Sequence, residues 1–198
     1  MSQRPALGCL FEIVETLALT LIIFFVIQTF IAQPYRVEQM SMEQTLEPDQ
    51  YVLVDKLTPR FDTYKRGDIV VFNPPPDWVQ AERTPFIKRV IGVPGDAVEI
   101  REDGLVYVND VAIEEPYLYA VDGEPQATTT STEPPRWTIG EDELFVMGDH
   151  RMSSSDSRTF GPIRVEDVIG RAWLRYWPFD TFMVLPTPAY PELQTSSP

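Results

Sequence analysis

The hydrophobic pattern divides the chain into one long apolar run and a series of short alternating segments. From Thr16 to Ala32 nearly every residue is apolar, on all sides of a helix. At 1.5 Å per residue, a helix of this length spans roughly 25 Å, which is at the short end for crossing a bilayer. Uniform apolarity favours lipid as the surrounding medium over the core of a soluble domain. The run therefore predicts an uncleaved, single-pass transmembrane helix.

Two other interpretations of this run stay open, a cleaved secretory signal and a buried core helix. A cleaved signal has a basic start and small residues at positions −3 and −1 of the cut site. Here the preceding tail offers only Arg4 as a basic residue, and Phe30 stands two positions before Ala32. One basic residue lies near each end of the run, Arg4 before it and Arg36 after it, so their charges do not indicate which end faces the cytoplasm.

Beyond Pro34 apolar residues recur at every second position, which is the period of a half-buried β-strand. Glu102 to Gly104 has the composition of a hairpin turn, and residues 165–168 can form one helical turn. The predicted strands are residues 51–57, 68–72, 86–91, 98–101, 105–108, 144–147 and 171–177. The predicted fold class is mainly β, with an antiparallel sheet and a small inserted β subdomain after one transmembrane helix.

Polar and proline-rich stretches indicate where the strands end. Residues 73–77 predict a surface loop, because a proline has no backbone N–H to donate to a neighbouring strand. Residues 120–136 are rich in threonine and proline and predict a mobile loop or the edge of an inserted subdomain. The chain from Pro186 predicts a frayed end. The predicted divisions are a tail and anchor (1–33), a β domain (34–109 and 138–185), an insertion (110–137) and a C-terminal tail (186–198).

Charge and cysteine content narrow the classes of function. The net charge of −14 argues against nucleic-acid binding and against a polybasic membrane patch. Cys9 is the only cysteine, so a disulfide within the chain is impossible and a thiolate metal site is not expected.

The stretch from Met40 to Leu46 contains Ser41, which can act as a nucleophile only if a base lies nearby. The candidate bases are the single histidine, His150, and the lysines Lys56, Lys65 and Lys88. A histidine-based triad thus has one candidate base, whereas a Ser-Lys dyad has three.

Lys88 has the environment that a lysine base requires. Its pKa must fall by about three units to act near neutral pH, and burial in apolar surroundings lowers a lysine pKa. On a strand, Lys88 shares its face with Phe86 and Val90. Lys65 lies in a Lys-Arg-Gly-Asp turn and Lys56 at a strand end, where water keeps an amine charged. The alternative is that Lys88 reaches from a half-buried strand to water and that Ser41 only satisfies backbone groups.

Four segments, in order, resemble the sequence boxes of type I signal peptidases, the membrane-anchored Ser-Lys proteases that remove secretory signal peptides. They are Ser41 to Leu46, Arg66 to Phe72, Phe86 to Asp96, and Met147 to Gly161. The resemblance covers residues 10–180 and is weak between Asp110 and Trp137. It indicates the bacterial type, because the endoplasmic-reticulum relatives carry histidine in place of the lysine.

The resemblance implies a role for each matching residue and implies no metal or other cofactor. Ser41 matches the nucleophile, whose backbone N–H contributes to the oxyanion hole. Lys88 matches the general base, and Ser154 the hydroxyl that orients the lysine amine. The charged residues that brace the site are Asp149, Asp156, Arg89 and Arg158. The apolar residues expected to line pockets for small −1 and −3 side chains are Tyr35, Val37, Met42, Leu46, Val52, Val71 and Ile87.

Three positions depart from the family pattern. Gln39 stands where serine or glycine is usual, Gln44 where proline is usual, and His150 where asparagine is usual. The Gln39 carboxamide has two N–H donors, so one hypothesis is that it helps to hold the oxyanion. The alternative is that Gln39 points outward and the Ser41 N–H acts with little side-chain help.

The partners implied by the resemblance are exported preproteins with signal peptides, the lipid bilayer and, by proximity, the protein-export translocon; no nucleic acid is implied. The implied location is the cell membrane, with the β domain on the extracytoplasmic side. One rival is a self-cleaving Ser-Lys regulator, although such proteins usually carry a DNA-binding module where this chain has its apolar run. The other is a non-catalytic, membrane-tethered β domain that binds signal peptides without cutting them, which Gln39 and Gln44 favour.

Overall fold

The computed structural model describes residues 5–76, 78 and 84–193, and consists of one long helix followed by antiparallel strands. Helix α1 (Pro5–Val26) continues into a π-helical segment, Ile27–Ile31, and α2 (Ser157–Phe160) is a single turn. The strands are β1 (Ala32–Arg36), β2 (Tyr51–Asp55), β3 (Ile69–Phe72), β4 (Phe86–Gly92), β5 (Ala97–Ile100), β6 (Val106–Val108), β7 (Val111–Ala112), β8 (Ala120–Val121), β9 (Glu124–Pro125), β10 (Arg136–Thr138), β11 (Glu143–Met147), β12 (Ile163–Arg164), β13 (Val168–Trp177) and β14 (Met183–Val184). The predicted fold class is confirmed.

Helix α1 has the length and composition of a membrane-spanning helix. Within its apolar part, Gly8–Ile31, a window of 18 residues has a mean hydropathy of 2.4, and none of that window is buried inside the protein. The helix begins earlier than the predicted Thr16, because backbone hydrogen bonds continue through Glu12 and Glu15 regardless of their charges. Ala32, predicted as the last residue of the span, is instead the first residue of β1.

The strands form one large sheet and two smaller ones, and every pairing among them is antiparallel. The large sheet has the order β1-β2-β13-β3-β4-β11-β12, with β14 paired to β13. The second has the order β10-β5-β6-β7, and β8 and β9 form a hairpin. The second sheet begins at Ala97, earlier in the chain than the predicted insertion at residues 110–137.

The core lies on both faces of the central strands. On β3, Ile69 and Val71 pack in one apolar cluster, while Val70 packs in another. Strand β2 shows the alternation that the sequence predicts, since Val52 and Val54 are buried and their neighbours are partly exposed. Alternating residues of the central strands therefore contribute to different clusters, and β4 lies deep enough to bury a polar side chain.

Two segments predicted to be loose are packed. In the threonine-rich stretch, Thr128 is 1% exposed and the Thr132 hydroxyl donates to the Arg158 carbonyl at 2.6 Å. Beyond Pro186, Tyr190 is 7% exposed and its hydroxyl lies 3.0 Å from that of Tyr117. The described parts of both segments are therefore held by partners distant in sequence, and for residues 120–136 this favours the edge of a subdomain over a mobile loop. Residues 194–198 of the predicted tail, and Asp77 of the predicted 73–77 loop, lie outside the described residues.

Candidate active site

Ser41 lies on a single 3₁₀ turn, Met40–Met42, between β1 and β2. Such a short turn has little stability of its own. It is held by Met42 and Leu46, both with 0% exposure, and the Leu46 N–H donates to the Met42 carbonyl at 2.7 Å. Packing against the core thus fixes the serine, which is 2% exposed.

Lys88 reaches this serine from the middle of β4. Its Nζ atom lies 2.7 Å from Ser41 Oγ and 3.1 Å from the Ile87 carbonyl oxygen. The residue is fully buried, with the Phe86 ring centroid 5.1 Å from the amine. Burial lowers the pKa of Lys88 to about 8, against the opposing charges of Asp156 and Asp149. Near pH 8 a large fraction of this amine is therefore neutral and able to accept a proton.

The other candidate bases have different surroundings. The Lys65 side chain is 60% exposed and pairs with Asp62 at 3.0 Å. The Lys56 amine donates to Gln33 at 3.2 Å. The Nδ1 atom of His150 lies against Glu43 at 2.6 Å. Among the described residues, Lys88 is the base within hydrogen-bonding distance of the Ser41 hydroxyl.

A buried ion pair connects β4 to the loop after β11. The Arg89 guanidinium donates to Asp149 through two hydrogen bonds of 2.9 and 2.7 Å, and both side chains are 1% exposed. Asp149 also accepts the Thr45 hydroxyl at 2.5 Å, and Arg89 donates to the Gly67 carbonyl at 2.8 Å. The residue next to Lys88 is thereby tied to the segment that carries Ser41.

A second carboxylate, that of Asp156, acts on Lys88 through its charge. Asp156 accepts from Arg158 at 2.8 and 2.9 Å and from the Gly148 N–H at 3.0 Å. Burial by itself raises the pKa of the Asp156 carboxyl, but Arg158 and the hydrogen-bond donors outweigh it and hold the pKa below its usual value. Asp156 is therefore negatively charged, and its charge favours the protonated form of Lys88.

Ser154, predicted to orient the lysine amine, contacts a carboxylate in this structure. Its hydroxyl donates to Asp156 at 2.7 Å, whereas the partners of the Lys88 amine among the described residues are Ser41 and Ile87. The loop that carries Gly148 and Ser154 nevertheless packs closely against the Ser41 backbone. A Cβ atom placed on Gly148 would lie 2.3 Å from Ser154 Oγ and 2.4 Å from the Ser41 carbonyl oxygen, so only glycine fits between them.

An open cleft is bordered by Gln39, two residues before Ser41, and by Ile87, the neighbour of Lys88, and most of the predicted pocket residues line it. Its walls combine apolar strand residues with the ends of two loops. Met42 and Leu46, predicted to line it as well, are not among its lining residues and are buried in the apolar cluster that also contains Val52 and Val71. The lining residues are Pro34, Tyr35, Arg36, Val37, Glu38, Gln39, Val52, Val71, Thr84, Pro85 and Ile87.

Gln39 borders this cleft two residues before Ser41. It is exposed, and as the residue that precedes the 3₁₀ turn it makes no capping hydrogen bond with its side chain. It also borders a second, shallower depression together with Met40, Ser153 and Ser155. The side chain is thus exposed at the edge of the cleft and makes no capping hydrogen bond to the turn.

Sequence reasoning missed a further buried pair that supports the loop after β11. The Arg151 side chain is 0% exposed and pairs with Glu115, whose side chain is 5% exposed. Arg151 also donates to the Gly148 carbonyl at 3.0 Å and to the hydroxyl of Thr128. Arg151 lies in the last of the family-like segments, which was a usable signal; no local pattern marks Glu115 or Thr128.

Comparison with known proteins gives one family. The model of the family described as signal peptidase, peptidase S26, matches residues 10–177. A probable signal peptidase I-2 of Synechocystis sp. is 34% identical over 183 residues, covering 89% of this chain and 77% of the relative. A signal peptidase I of Leptolyngbya laminosa is 33% identical over 198 residues, covering 96% and 91%. A crystal structure of a signal peptidase I from Enterococcus faecalis V583 covers 56% of this chain and 97% of its own, with 32% identity and a TM-score of 0.42.

Proposed function

This chain belongs to the signal peptidase family, peptidase S26, and we propose that it is a membrane-bound serine endopeptidase that removes N-terminal signal peptides from exported preproteins. The observation that supports this most directly is the 2.7 Å contact between Ser41 Oγ and the buried Lys88 amine. Helix α1 supports the membrane location by its length and hydropathy. Because the substrates are exported, the proposal puts the β domain on the extracytoplasmic side, near the translocon.

The proposed reaction is acyl transfer through a Ser-Lys dyad. The neutral Lys88 amine takes the Ser41 proton while Oγ attacks the carbonyl carbon of the scissile bond. The resulting oxyanion is held by the Ser41 backbone N–H, with the Gln39 carboxamide as a second donor. Collapse breaks the C–N bond, and the lysine returns its proton to the leaving amine. Water then attacks the acyl-enzyme with Lys88 again as base, which releases the signal peptide and restores the serine.

The charged residues around the dyad have complementary effects in this mechanism. Burial keeps Lys88 neutral enough to accept a proton, and Asp156 and Asp149 stabilise the ammonium that forms when it does. Arg89 and Arg158 hold those two carboxylates in place through the hydrogen bonds described above. Lys88 can therefore accept a proton in each step and release it again, to the leaving amine in the first step and to the serine in the second.

The protonation of Lys88 sets the expected pH profile. Since the pKa of this amine is lowered to about 8 and the neutral form is the base, kcat/KM should rise with pH through about 8 and then level off. Below this range it should fall about tenfold per pH unit. The measurement is cleavage of a model preprotein from pH 6 to 10. A rate that continues to rise beyond pH 10 would show that the lysine has its ordinary pKa.

The apolar cleft is proposed to determine the cutting specificity. Tyr35, Val52, Val71 and Ile87 leave room for small side chains at the −1 and −3 positions of the substrate.

The experiment that tests the function is incubation of the detergent-solubilised chain with a preprotein that has alanine at both positions, followed by mass spectrometry of the products. We expect a single cut after the −1 alanine.

The matched control is the same preprotein with phenylalanine at −1, for which kcat/KM should fall at least about 100-fold because a bulky side chain must displace packed atoms. Binding of the alanine preprotein without any cut would contradict the peptidase and favour the non-catalytic, signal-peptide-binding domain. Equal cutting of both preproteins would contradict the proposed role of the cleft.

A further inference from the structure

Three side chains from three separate segments meet beside the nucleophile. The His150 ring stacks on the Tyr119 ring with centroids 4.0 Å apart and an interplanar angle of 16°. Its Nδ1 atom lies 2.6 Å from Glu43 Oε2. We propose that Glu43, Tyr119 and His150, here called the imidazole clamp, position the Ser41 segment against Lys88. These are positioning residues, since none of them touches the Ser41 hydroxyl among the contacts of the described residues.

The hydrogen bond in the clamp forms in either protonation state of the ring. A carboxylate oxygen only accepts, so Nδ1 carries the hydrogen both in the matching neutral tautomer and in the imidazolium. The His150 and Glu43 side chains are 12% and 17% exposed, so water competes weakly for the contact. The second ring nitrogen lies 3.3 Å from the Ser153 hydroxyl, on the exposed side.

The clamp acts on the segment of the nucleophile through two contacts that one residue, His150, makes. The His150 backbone N–H donates to the Ser41 carbonyl at 3.0 Å, and its ring holds Glu43 two residues further on. The Glu43 N–H in turn closes the 3₁₀ turn by donating to the Met40 carbonyl at 3.1 Å. A displacement of about 1 Å in a reacting group can lower a rate about 100-fold, so this turn must be held at both ends.

Tyr119, the third residue of the clamp, belongs to the segment that leads into the β8–β9 hairpin. The Tyr119 N–H donates to the Asp149 carbonyl at 3.1 Å, and the Ala120 N–H donates to Gln44 Oε1 at 3.0 Å. The segment thus touches both loops of the active site, at His150 and at Gln44. The part of the chain with the weakest likeness to the family therefore supports the geometry of the dyad.

This inference rests on the proposed peptidase activity, and His150 variants test it. His150→Asn keeps an N–H donor at the Nδ1 position but removes the stacked ring, whereas His150→Phe keeps the ring and removes the donor. We expect His150→Ala and His150→Phe to lower kcat at least about tenfold with KM within about twofold, because the cleft is untouched. His150→Asn should recover most of the lost kcat, because the contact with Glu43 holds the Ser41 segment and the stack on Tyr119 serves to orient the ring that makes this contact.

The coupling within the clamp is tested with Glu43→Ala and with the Glu43→Ala/His150→Ala double variant. If the two side chains act as one unit, the double variant should be no slower than the slower single variant. The matched control is Glu166→Ala, which removes an exposed carboxylate whose side chain is 67% exposed and paired with Arg164. Full additivity of the two losses, or a normal kcat in His150→Phe, would overturn the clamp.

Hydrogen–deuterium exchange of residues 41–46 gives a readout that needs no activity. Exchange in this segment should rise at least about tenfold in His150→Ala and stay near the wild-type rate in His150→Asn. A wild-type chain that cuts no preprotein would contradict the proposed function, while the exchange rates would still decide the clamp. A loss of kcat with unchanged exchange would overturn the positioning role.

Discussion

Ser41→Ala and Lys88→Met are each expected to lower kcat for preprotein cleavage by at least about 1,000-fold, because removal of a nucleophile or its base from a covalent mechanism leaves only binding and oxyanion contacts. The measurement is single-turnover cleavage at pH 9, where the wild-type lysine, with its pKa of about 8, is mostly neutral. Methionine is close to lysine in length and apolar, so it fills the buried site without a proton acceptor.

The matched control for the lysine is Lys65→Met, which changes an exposed amine paired with Asp62. Its kcat should stay within about twofold of wild type, since exposed pairs contribute little. If Lys88→Met retained a tenth of the wild-type rate while Ser41→Ala was inactive, another group would have to accept the serine proton, and the dyad assignment would be wrong.

Methionine substitutions at two adjacent residues of β4 are expected to change stability in opposite directions. Arg89→Met should lower the free energy of unfolding by about 3–5 kcal/mol, because it leaves the Asp149 carboxylate buried without its partner. Lys88→Met should raise the free energy of unfolding at pH 7 by about 2 kcal/mol. The measurement is denaturant unfolding of the detergent-solubilised chain, and Lys65→Met, within about 0.5 kcal/mol of wild type, is again the control.

The gain in Lys88→Met follows from the depressed pKa of the lysine. Below pH 8 the amine is charged in both states, and the folded state carries the full cost of burying that charge, about 3 kcal/mol for a fall in pKa from 10.5 to about 8. Loss of the contact with Ser41 offsets about 1 kcal/mol of this gain. Between pH 8 and 10.5 the folded wild type has released its proton while the unfolded chain retains it, so wild-type stability rises with pH.

The advantage of Lys88→Met should therefore shrink as the pH rises from 8 to 10.5. A gain in stability that does not depend on pH would come from packing and would contradict the burial of charge as its cause. A more stable but inactive Lys88→Met enzyme would mean that, near neutral pH, the fold gives up stability in order to lower the pKa of this lysine.

Much of this site could be predicted from the sequence because its main determinants are local. Alternation along β4 places Lys88 beside Phe86 and Val90, and the structure buries all three. Alternation does not reveal which buried residues line a cleft, however. Met42 and Leu46 belong to the same buried cluster as Val52 and Val71, yet of these four only the two valines line the cleft.

The contacts that could not be predicted join segments far apart in the chain. Strand β13 lies between β2 and β3, and nothing in the local pattern of any of the three specifies that order. The sequence places Thr128 in a loop, and only the folded chain shows that its hydroxyl accepts a hydrogen bond from Arg151. Gln44 and His150 were visible only as departures from a family pattern, whereas the structure shows that both contact the short segment Tyr119–Ala120.

The apolar helix enters the sheet without a linker. Its π-helical end stops at Ile31, β1 begins at Ala32, and the Ile31 carbonyl accepts the Lys56 N–H at 2.9 Å. The chain from Ile31 to Ser41 can extend by at most about 35 Å. With the helix in a bilayer, as proposed, this tether limits how far Ser41 can lie from the lipid surface. In the proposed reaction, a preprotein whose small residues emerge beyond that distance would escape cutting, however well its side chains fit the cleft.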